Sequence, residues 1–599
     1  AYGEDIQAFN PYAFFDSRKP KQTRQQVNGS LYIDWNVFKG FTAHLDYALS
    51  YNNYFQKRAD MPTGAAYNFQ KDSDIGRYYV GYDAGVSNDN TTSYKTQLNA
   101  RLNYDATIAK DHNIGAMFVY SEEYWHTRST GASRNDRLHP STSEINSALT
   151  NVQSTSGSSA SEGLRSYIGR LNYNAYSKYL LEFSFRLDGS SKFVKGHQFG
   201  FFPTVAVGWR FTEEDFLRKY LSSWLSSGKL RASWGKMGDN SGVGRFEQLE
   251  TLTAMNYMGD DVVKGFVNKK MINKDLSWEI STDVNVGLDL GFLNNRLRAE
   301  IDFYNRLRTG MNRPSQMSVH LTGAYSAPRA NIGDLRNQGV ELNLTWKDKI
   351  GTVDYSVNLN GAYNRTTLKE WNEFLSRGWV FLNMPYHFLY TYEDDGIAQT
   401  WEDIYSHTPQ GLAPGDVIRK DLNGDGIIDG KDRKAYPNIQ RDSPTTTFGL
   451  TLTAAWKGFD ISILFNGAMG RKDYWITDFN NTAFADRRYA STWDHWTESW
   501  SLENRGGEWP RLGSSTSRSD NSYWLYNMSY LRMKNIMLGY NIPTKILSKI
   551  SMSNLRFYAS AENLFTITQY PGLDPEKKNS SRDLYPINRS FSLGINVSF

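Results

Sequence analysis

The sequence predicts an all-β fold, a transmembrane antiparallel β-barrel, on three observations: an aromatic excess in a polar chain, strict alternation along long segments, and links that alternate between short and long. Tyr, Phe and Trp number 38, 32 and 17 among 599 residues, about 15% of the chain, while the mean hydropathy is -0.59. A soluble protein this polar has little use for so many rings. A barrel in a bilayer sets them in girdles at both interfaces and keeps its lumen and loops polar.

Bulk numbers narrow the function classes. Lys and Arg (67) nearly balance Asp and Glu (63), so there is no electrostatic footprint for nucleic acid. No run of about 18 apolar residues occurs, which excludes a transmembrane helix. Cys is absent, which excludes disulfides, thiolate metal sites and a Cys nucleophile. The opening AYGEDIQAFNPYAFF lacks the basic start and apolar core of a signal peptide.

Alternation defines the strands. In SKYLLEFSFRLDG, Tyr179, Leu181, Phe183, Phe185 and Leu187 share one face, and Leu180, Glu182, Ser184, Arg186 and Asp188 the other. TDVNVGLDLG sets Val284, Val286, Leu288 and Leu290 against Asp283, Asn285, Gly287 and Asp289. TFGLTLTAAW sets Phe448, Leu450, Leu452 and Trp456 against small and hydroxyl residues. In RSFSLGINVSF, Phe591, Leu593, Ile595, Val597 and Phe599 oppose Ser590, Ser592, Gly594, Asn596 and Ser598. Each segment runs to about 10 to 13 residues, beyond the roughly 5 or 6 of soluble strands and near the roughly 9 to 11 that a tilted membrane strand needs. Inward carboxylates and arginines suit a wet lumen.

Roughly seventeen such strands are expected, joined by tight turns at 37–40, 108–113, 175–178, 293–296, 347–352 and 457–459. Between them lie long stretches near 57–92, 127–162, 239–278, 309–333, 365–444, 471–523 and 566–587. One link breaks the rule: TEEDFLRKYLSSWLSS (212–227) lies on the short-turn side and reads as an amphipathic helix, N-capped by Thr212 with Glu213, Glu214 and Asp215 in its first turn. Short turns belong to the periplasm and long loops to the exterior. A closed single-chain bacterial barrel takes an even number of strands, so the odd count and abrupt start predict a C-terminal portion, residues 1–599 being barrel alone.

DLNGDGIIDGKDR (421–433) has the spacing of a calcium-binding loop. Asp421, Asn423 and Asp425 stand at positions 1, 3 and 5, Gly426 at the turn, Ile427 offers its carbonyl, and Asp429 and Asp432 complete the set. The flanks contain Pro414, Gly415 and Pro437, which disfavour the paired helices of a sensor. A structural Ca2+ acting as a loop clip is the expectation, with a metal-free turn as the alternative.

The aromatic-rich segment 474–512 offers Trp493, Trp496 and Trp500 for stacking on sugar faces or peptide side chains, against the plainer role of packing the loop. Tyr386, His387, Tyr390 and Tyr392 either line a mouth or support the acidic loop. Enzymatic signatures fail: no phosphate-binding loop, nucleophile elbow or H-E-x-x-H occurs, and Glu122-Glu123, Glu213-Glu214 and Asp394-Asp395 are adjacent pairs that a strand would point to opposite faces.

Several stretches resemble the C-terminal part of SusC/RagA-family TonB-dependent outer-membrane transporters. They are YLRMKNIMLGYNIPTKIL (530–547), NLRFYASAENLFTITQYPGLDPE (554–576), YPINRSFSLGINVSF (585–599), RLNYNAYSKYLLEFSFRLDGSSKF (170–193), FFPTVAVGWRFTEEDFL (201–217), LSWEISTDVNVGLDLGFLNNRL (276–297), NQGVEL (337–342) and the acidic loop itself. The resemblance implies a complete barrel of about 22 strands, with the plug and N-terminal domains outside residues 1–599. It further implies energised import of a nutrient oligomer across the outer membrane, glycan fragments ahead of oligopeptides, without chemistry in the barrel. The implied partners are a SusD-like lipoprotein lid, the plug-bearing portion, TonB and membrane lipid, with transporter–lipoprotein pairs dimerising. The terminal Phe599 resembles a barrel assembly signal. Two other classes compete: a calcium-stabilised secreted or surface β-rich adhesin, which needs no alternation of link lengths, and a glycoside hydrolase, which needs an acid and a base facing each other across a cleft.

Overall fold

The computed structural model describes residues 20–60, 65–68, 73–77, 85–135, 137, 139, 141–149, 153–221, 224–258, 262–268, 271–317, 327–373, 381–475, 498–511, 521–547, 552–577 and 587–599. One antiparallel sheet of 17 strands dominates it, each strand pairing with its sequence neighbours in the wall. The first eight are β1 (Lys21–Phe38), β2 (Phe41–Asp60), β3 (Gly85–Ile108), β4 (His112–Asn135), β5 (Gln153–Ala175), β6 (Tyr179–Ser190), β7 (Phe199–Trp209) and β8 (Leu225–Asp239). The wall continues through β9 (Glu279–Phe292), β10 (Leu297–Thr309), β11 (Asp334–Ile350), β12 (Val353–Glu370) and β13 (Thr446–Trp456). It ends with β14 (Phe459–Met469), β15 (Tyr530–Asn541), β16 (Asn554–Thr568) and β17 (Ser590–Ser598).

The tight turns fall where the sequence puts them. Ala109 and Lys110 (φ 50° and 68°), Tyr176 and Ser177 (54° and 56°) and Lys457 and Gly458 (47° and 91°) supply paired left-handed residues. Two consecutive positive φ values match the right-handed twist of the flanking strands, which favours this hairpin over its mirror image.

Register turns alternation into two surfaces. Leu181, Val207, Ala232, Val286, Phe303, Val340 and Tyr363 align across β6 to β12 as one outward row. The adjacent row carries Gly208, Arg231, Gly287, Asp302 and Glu341 inward. A slip of one residue would exchange these faces, so the apolar pattern itself specifies the pairing. Inward charges are paired across strands: Arg231 reaches Asp289 (2.8 Å) on β9 and Asp302 (2.9 Å) on β10. To do so its guanidinium crosses Gly287, where a Cβ would stand 2.6 Å from Asp302 Oδ1 and 2.7 Å from Arg231 Cζ. The same device recurs at Gly539, whose missing Cβ leaves room for Arg556 to reach Asp460.

Three expectations need correction. Strands run from 9 to 24 residues rather than 10 to 13, and much of 57–92 and 127–162 belongs to β2, β3, β4 and β5. A strand of 24 residues extends about 80 Å, far beyond the roughly 9 to 11 residues a bilayer takes, so these four carry the wall well past the membrane on the long-loop side. The link between β6 and β7, on that same side, is only residues 191–198. Finally, Thr212 is not an N-cap: it lies in a 3-10 turn (Phe211–Glu213), its hydroxyl accepting from Gly228 N at 2.9 Å, and the helix begins at Asp215 and ends at Leu221.

Among the described residues β1 and β17 do not pair. Both run toward the short-turn end, so an antiparallel seam between them takes an odd number of further strands. Buried clusters sit at the long-loop end, where loops pack on one another and on the strand tops.

Candidate functional site: the cap at the long-loop end

The described residues of links 371–445 and 470–529 fold into one packed cap. Phe388–Tyr392 pairs with Arg433–Gln440, Asp394–Ile397 with Val417–Arg419, and Lys472–Tyr474 with Leu525–Asn527. A short helix, Trp401–Tyr405, is fixed by a capping box: Thr400 Oγ1 accepts from Asp403 N (3.2 Å) and Asp403 accepts from Thr400 N (2.9 Å). Those backbone bonds from Thr400 and Gln399 hold the Asp403 carboxyl below its ordinary value.

The cap has its own interior. Leu389, Tyr474, Trp509 and Trp524 are buried together, with Tyr436, Trp475, Tyr523 and Tyr526 packed against them. Trp509 and Trp524 stack at 6.1 Å, and Trp475 tilts against Trp509 at 5.6 Å. Burial pushes the Tyr526 hydroxyl up to about 12 and raises Tyr523 as well. Between the two links, Arg511 clasps buried Asp416 through two bonds of 2.9 and 3.2 Å, and Asp394 meets Ser522. A charged patch lines the outer edge: Lys434 bonds Glu393 and holds it below its ordinary value, while His407 sits 3.1 Å from Asp395.

The expected site residues divide among three settings. Trp493 and Trp496 lie outside the described residues. Trp500 is buried, its Nε1 donating to Gln399 Oε1 at 3.0 Å and its ring filling the space beside Gly415, so it packs the cap. Tyr386 and His387 sit ring against ring at 4.3 Å, with His387 exposed and 3.0 Å from Asp442. Tyr390 donates to Gly430 O at 3.2 Å, and Arg433 lies over Tyr390 and Tyr392, so these tyrosines brace the acidic loop.

That loop is held by its own side chains. Asp421 accepts from Gly424 N (2.7 Å), Gly426 N (2.9 Å) and the Thr408 hydroxyl (3.1 Å). Asn423 accepts from Asp425 N (2.9 Å), and Asp425 accepts from Ile427 N (3.0 Å) and Asn423 Nδ2 (2.9 Å). Asp429 accepts from Lys431 N (2.7 Å), and fully buried Asp432 from Leu422 N (2.9 Å) and Asp429 N (2.8 Å). The flanks are strands, Val417–Arg419 and Arg433–Gln440, so no helix pair brackets the loop. The donor set is all oxygen, the chemistry a hard cation takes. Its carboxylates are turned to backbone amides, and among the described residues no three His, Cys, Asp or Glu converge as a metal group.

The sequence reading missed the cap's interior. Trp509 and Trp524 are its buried centre, and only the density of rings hinted at it. On the inner wall near the short turns, a concavity of about 640 Å³ is lined by polar groups including Asp105, Asn172, Glu182, Lys229 and Arg231.

Comparison with known proteins places these features. Residues 2–564 match the family model described as TonB dependent receptor-like, beta-barrel. TonB-dependent receptor P3 of Formosa agariphila is 28% identical, the alignment covering 100% of this chain and 60% of that protein. TonB-dependent receptor SusC of Bacteroides thetaiotaomicron is 28% identical, covering 98% of this chain and 57% of that protein. The RagAB peptide transporter structure superimposes with a TM-score of 0.82 at 22% identity, over 98% of this chain and 63% of that one. The chain spans about 60% of the length of the curated relatives it matches.

Proposed function

The chain belongs to the TonB-dependent receptor-like β-barrel family, and from that premise we propose that it forms most of the wall and the outer cap of an outer-membrane importer for a nutrient oligomer. The observation that carries this reading is the wall itself, an apolar belt outside and a paired-charge, polar surface inside, joined mostly by short turns at one end and mostly by long loops at the other. Barrels of about 22 strands enclose a plugged lumen, and the odd number of strands needed for closure fits the share of the relatives' length that this chain does not span. The cargo class is glycan fragments, with oligopeptides second, the cargo in the RagAB transporter's own name. Trp493 and Trp496 stack on the cargo, His387 and Tyr386 flank it, and buried Trp500 backs the loop. A SusD-like lipoprotein covers the long-loop end, which faces outward. TonB acts through the plug-bearing portion, and transporter–lipoprotein pairs dimerise.

The test is uptake of labelled oligosaccharide pools by cells carrying the intact protein. The reading expects uptake that collapses without TonB or without the proton gradient, and cargo affinity that falls at least tenfold on replacing Trp493 and Trp496 together by Ala. Uptake indifferent to TonB would sink it. Loop 421–432 takes a divalent cation, Ca2+ first, as a clip, which asks Asp425 to exchange its bond from Asn423 for the ion. Calorimetry should show Ca2+ binding lost in the Asp421→Asn, Asp425→Asn double variant. No heat from the unaltered protein would remove the cation.

A further inference from the structure

The connection between β7 and β8 is long for the short-turn end, and its contacts show on which side of the wall it lies. Tyr179, Trp209 and Leu230 align across β6, β7 and β8 on the outward face. Glu214, itself buried, accepts from the Tyr179 hydroxyl (2.6 Å) and from Trp209 Nε1 (3.1 Å), so the link folds onto the outer rim rather than beneath the lumen. At its far end Trp224 stacks on Phe292, which continues the outward row of Val284, Val286, Leu288 and Leu290; the rings lie 5.8 Å apart with planes 22° from parallel. Two anchors on the outer surface thus bracket the helix Asp215–Leu221.

That helix is amphipathic in an unusual sense. Leu217 and Leu221 are half-buried, whereas Phe216 and Tyr220, one turn apart on a single stripe, are 64% and 75% exposed. Arg218 and Lys219 are exposed beside them and make no ion pair among the described residues. Such a cluster of rings left in water would be costly. At the margin of a lipid-facing wall, an apolar ring with a polar tip meets the chemistry it suits. Continuity with the outward belt settles the occupant.

We infer that residues 210–221, together with Trp224, form an interfacial anchor lying in the headgroup layer of the leaflet at the short-turn end. Phe216 and Tyr220 reach the acyl boundary, and Arg218 and Lys219 meet lipid phosphates. This rests on the membrane reading of the wall, and the test separates the two. The sequence contains no Cys, so Phe216→Cys, Tyr220→Cys and, as a wall control, Val286→Cys each introduce one thiol into it for a bimane label. Each variant of the intact protein goes into nanodiscs made with phospholipids brominated near the headgroup end of the chain for 216 and 220 and near its middle for 286, its fold checked by the gel shift on boiling. All three labels should lose at least half their emission to brominated lipid and little to aqueous iodide. Iodide quenching at 216 and 220 with lipid quenching kept at 286 would overturn the anchor alone. Escape of 286 from lipid would overturn the membrane wall and the anchor with it. In the Arg218→Ala, Lys219→Ala variant, the extra quenching at 220 on adding phosphatidylglycerol should vanish; an unchanged gain would remove the phosphate contacts.

Discussion

The wall and the cap use the same residues in opposite ways. On β9, Val286 faces outward and is 44% exposed in the isolated chain, while its neighbour Gly287 is buried beneath a crossing guanidinium. In the cap, Trp524 is fully buried among other rings. The wall satisfies its backbone by ladders and leaves its apolar side chains to the bilayer. The cap buries its apolar side chains in water-excluded contacts of its own. The two regions therefore depend on different surroundings and should fail independently.

The largest expected effect is in the cap. Trp524→Ala should cost about 3–5 kcal/mol there, because removing the ring leaves a void in the middle of the buried cluster. Near-UV circular dichroism would show an early transition, while the boiling-dependent gel shift of the wall stays in place. Loss of both together would mean that cap and wall form one cooperative unit. For the wall, Val286→Arg should cost about 2–4 kcal/mol if the row lies near the bilayer midplane. Refolding into lipid vesicles under urea measures it, and a neutral result would put that row in water. Gly287→Ala comes next at about 1–3 kcal/mol, from a methyl forced into the path between Arg231 and Asp302. Asp302→Ala in the same background should recover part of the loss.

The smallest effect is a pH dependence at the edge of the cap. A hydrogen bond with the Asp403 carbonyl, and then the Asp395 carboxylate, raise the His407 pKa; His407 first, and then Lys420, lower that of Asp395. The histidine's contribution is complete below its unfolded value near 6.5 and fades as pH rises through the higher folded value. That of the aspartate is complete above its unfolded value near 3.9 and is lost as pH falls through the lower folded one. Amide protection of Trp401–Tyr405, corrected for intrinsic exchange, should therefore be greater near pH 5.5 than near pH 8.5. His407→Ala should flatten that difference.

How much of this was legible in the sequence follows from the same contrast. Alternation at Val284 to Leu290 is local, so it specified faces, turns and the antiparallel wall. It fell silent above the bilayer, because QSTSGSSASE (153–162) is polar on both faces and has no period to read. The cap was opaque for another reason. Leu389 shares a buried cluster with Trp524 across more than a hundred residues, and nothing local announces such a grouping. Thr212 had the chemistry of a helix cap, but a backbone amide from β8 already occupied its hydroxyl. The acidic loop was legible as a folded turn, since its Asp and Asn side chains bond their own backbone.

The most direct test of the central claim is a cysteine scan along β9 in the intact protein, held in nanodiscs and read by lipid-borne against aqueous quenchers. Labels at 284, 286, 288 and 290 should be reached from lipid, and those at 283, 285 and 289 from water. A profile without that two-residue rhythm, or one with both sets shielded as in a soluble core, would contradict it.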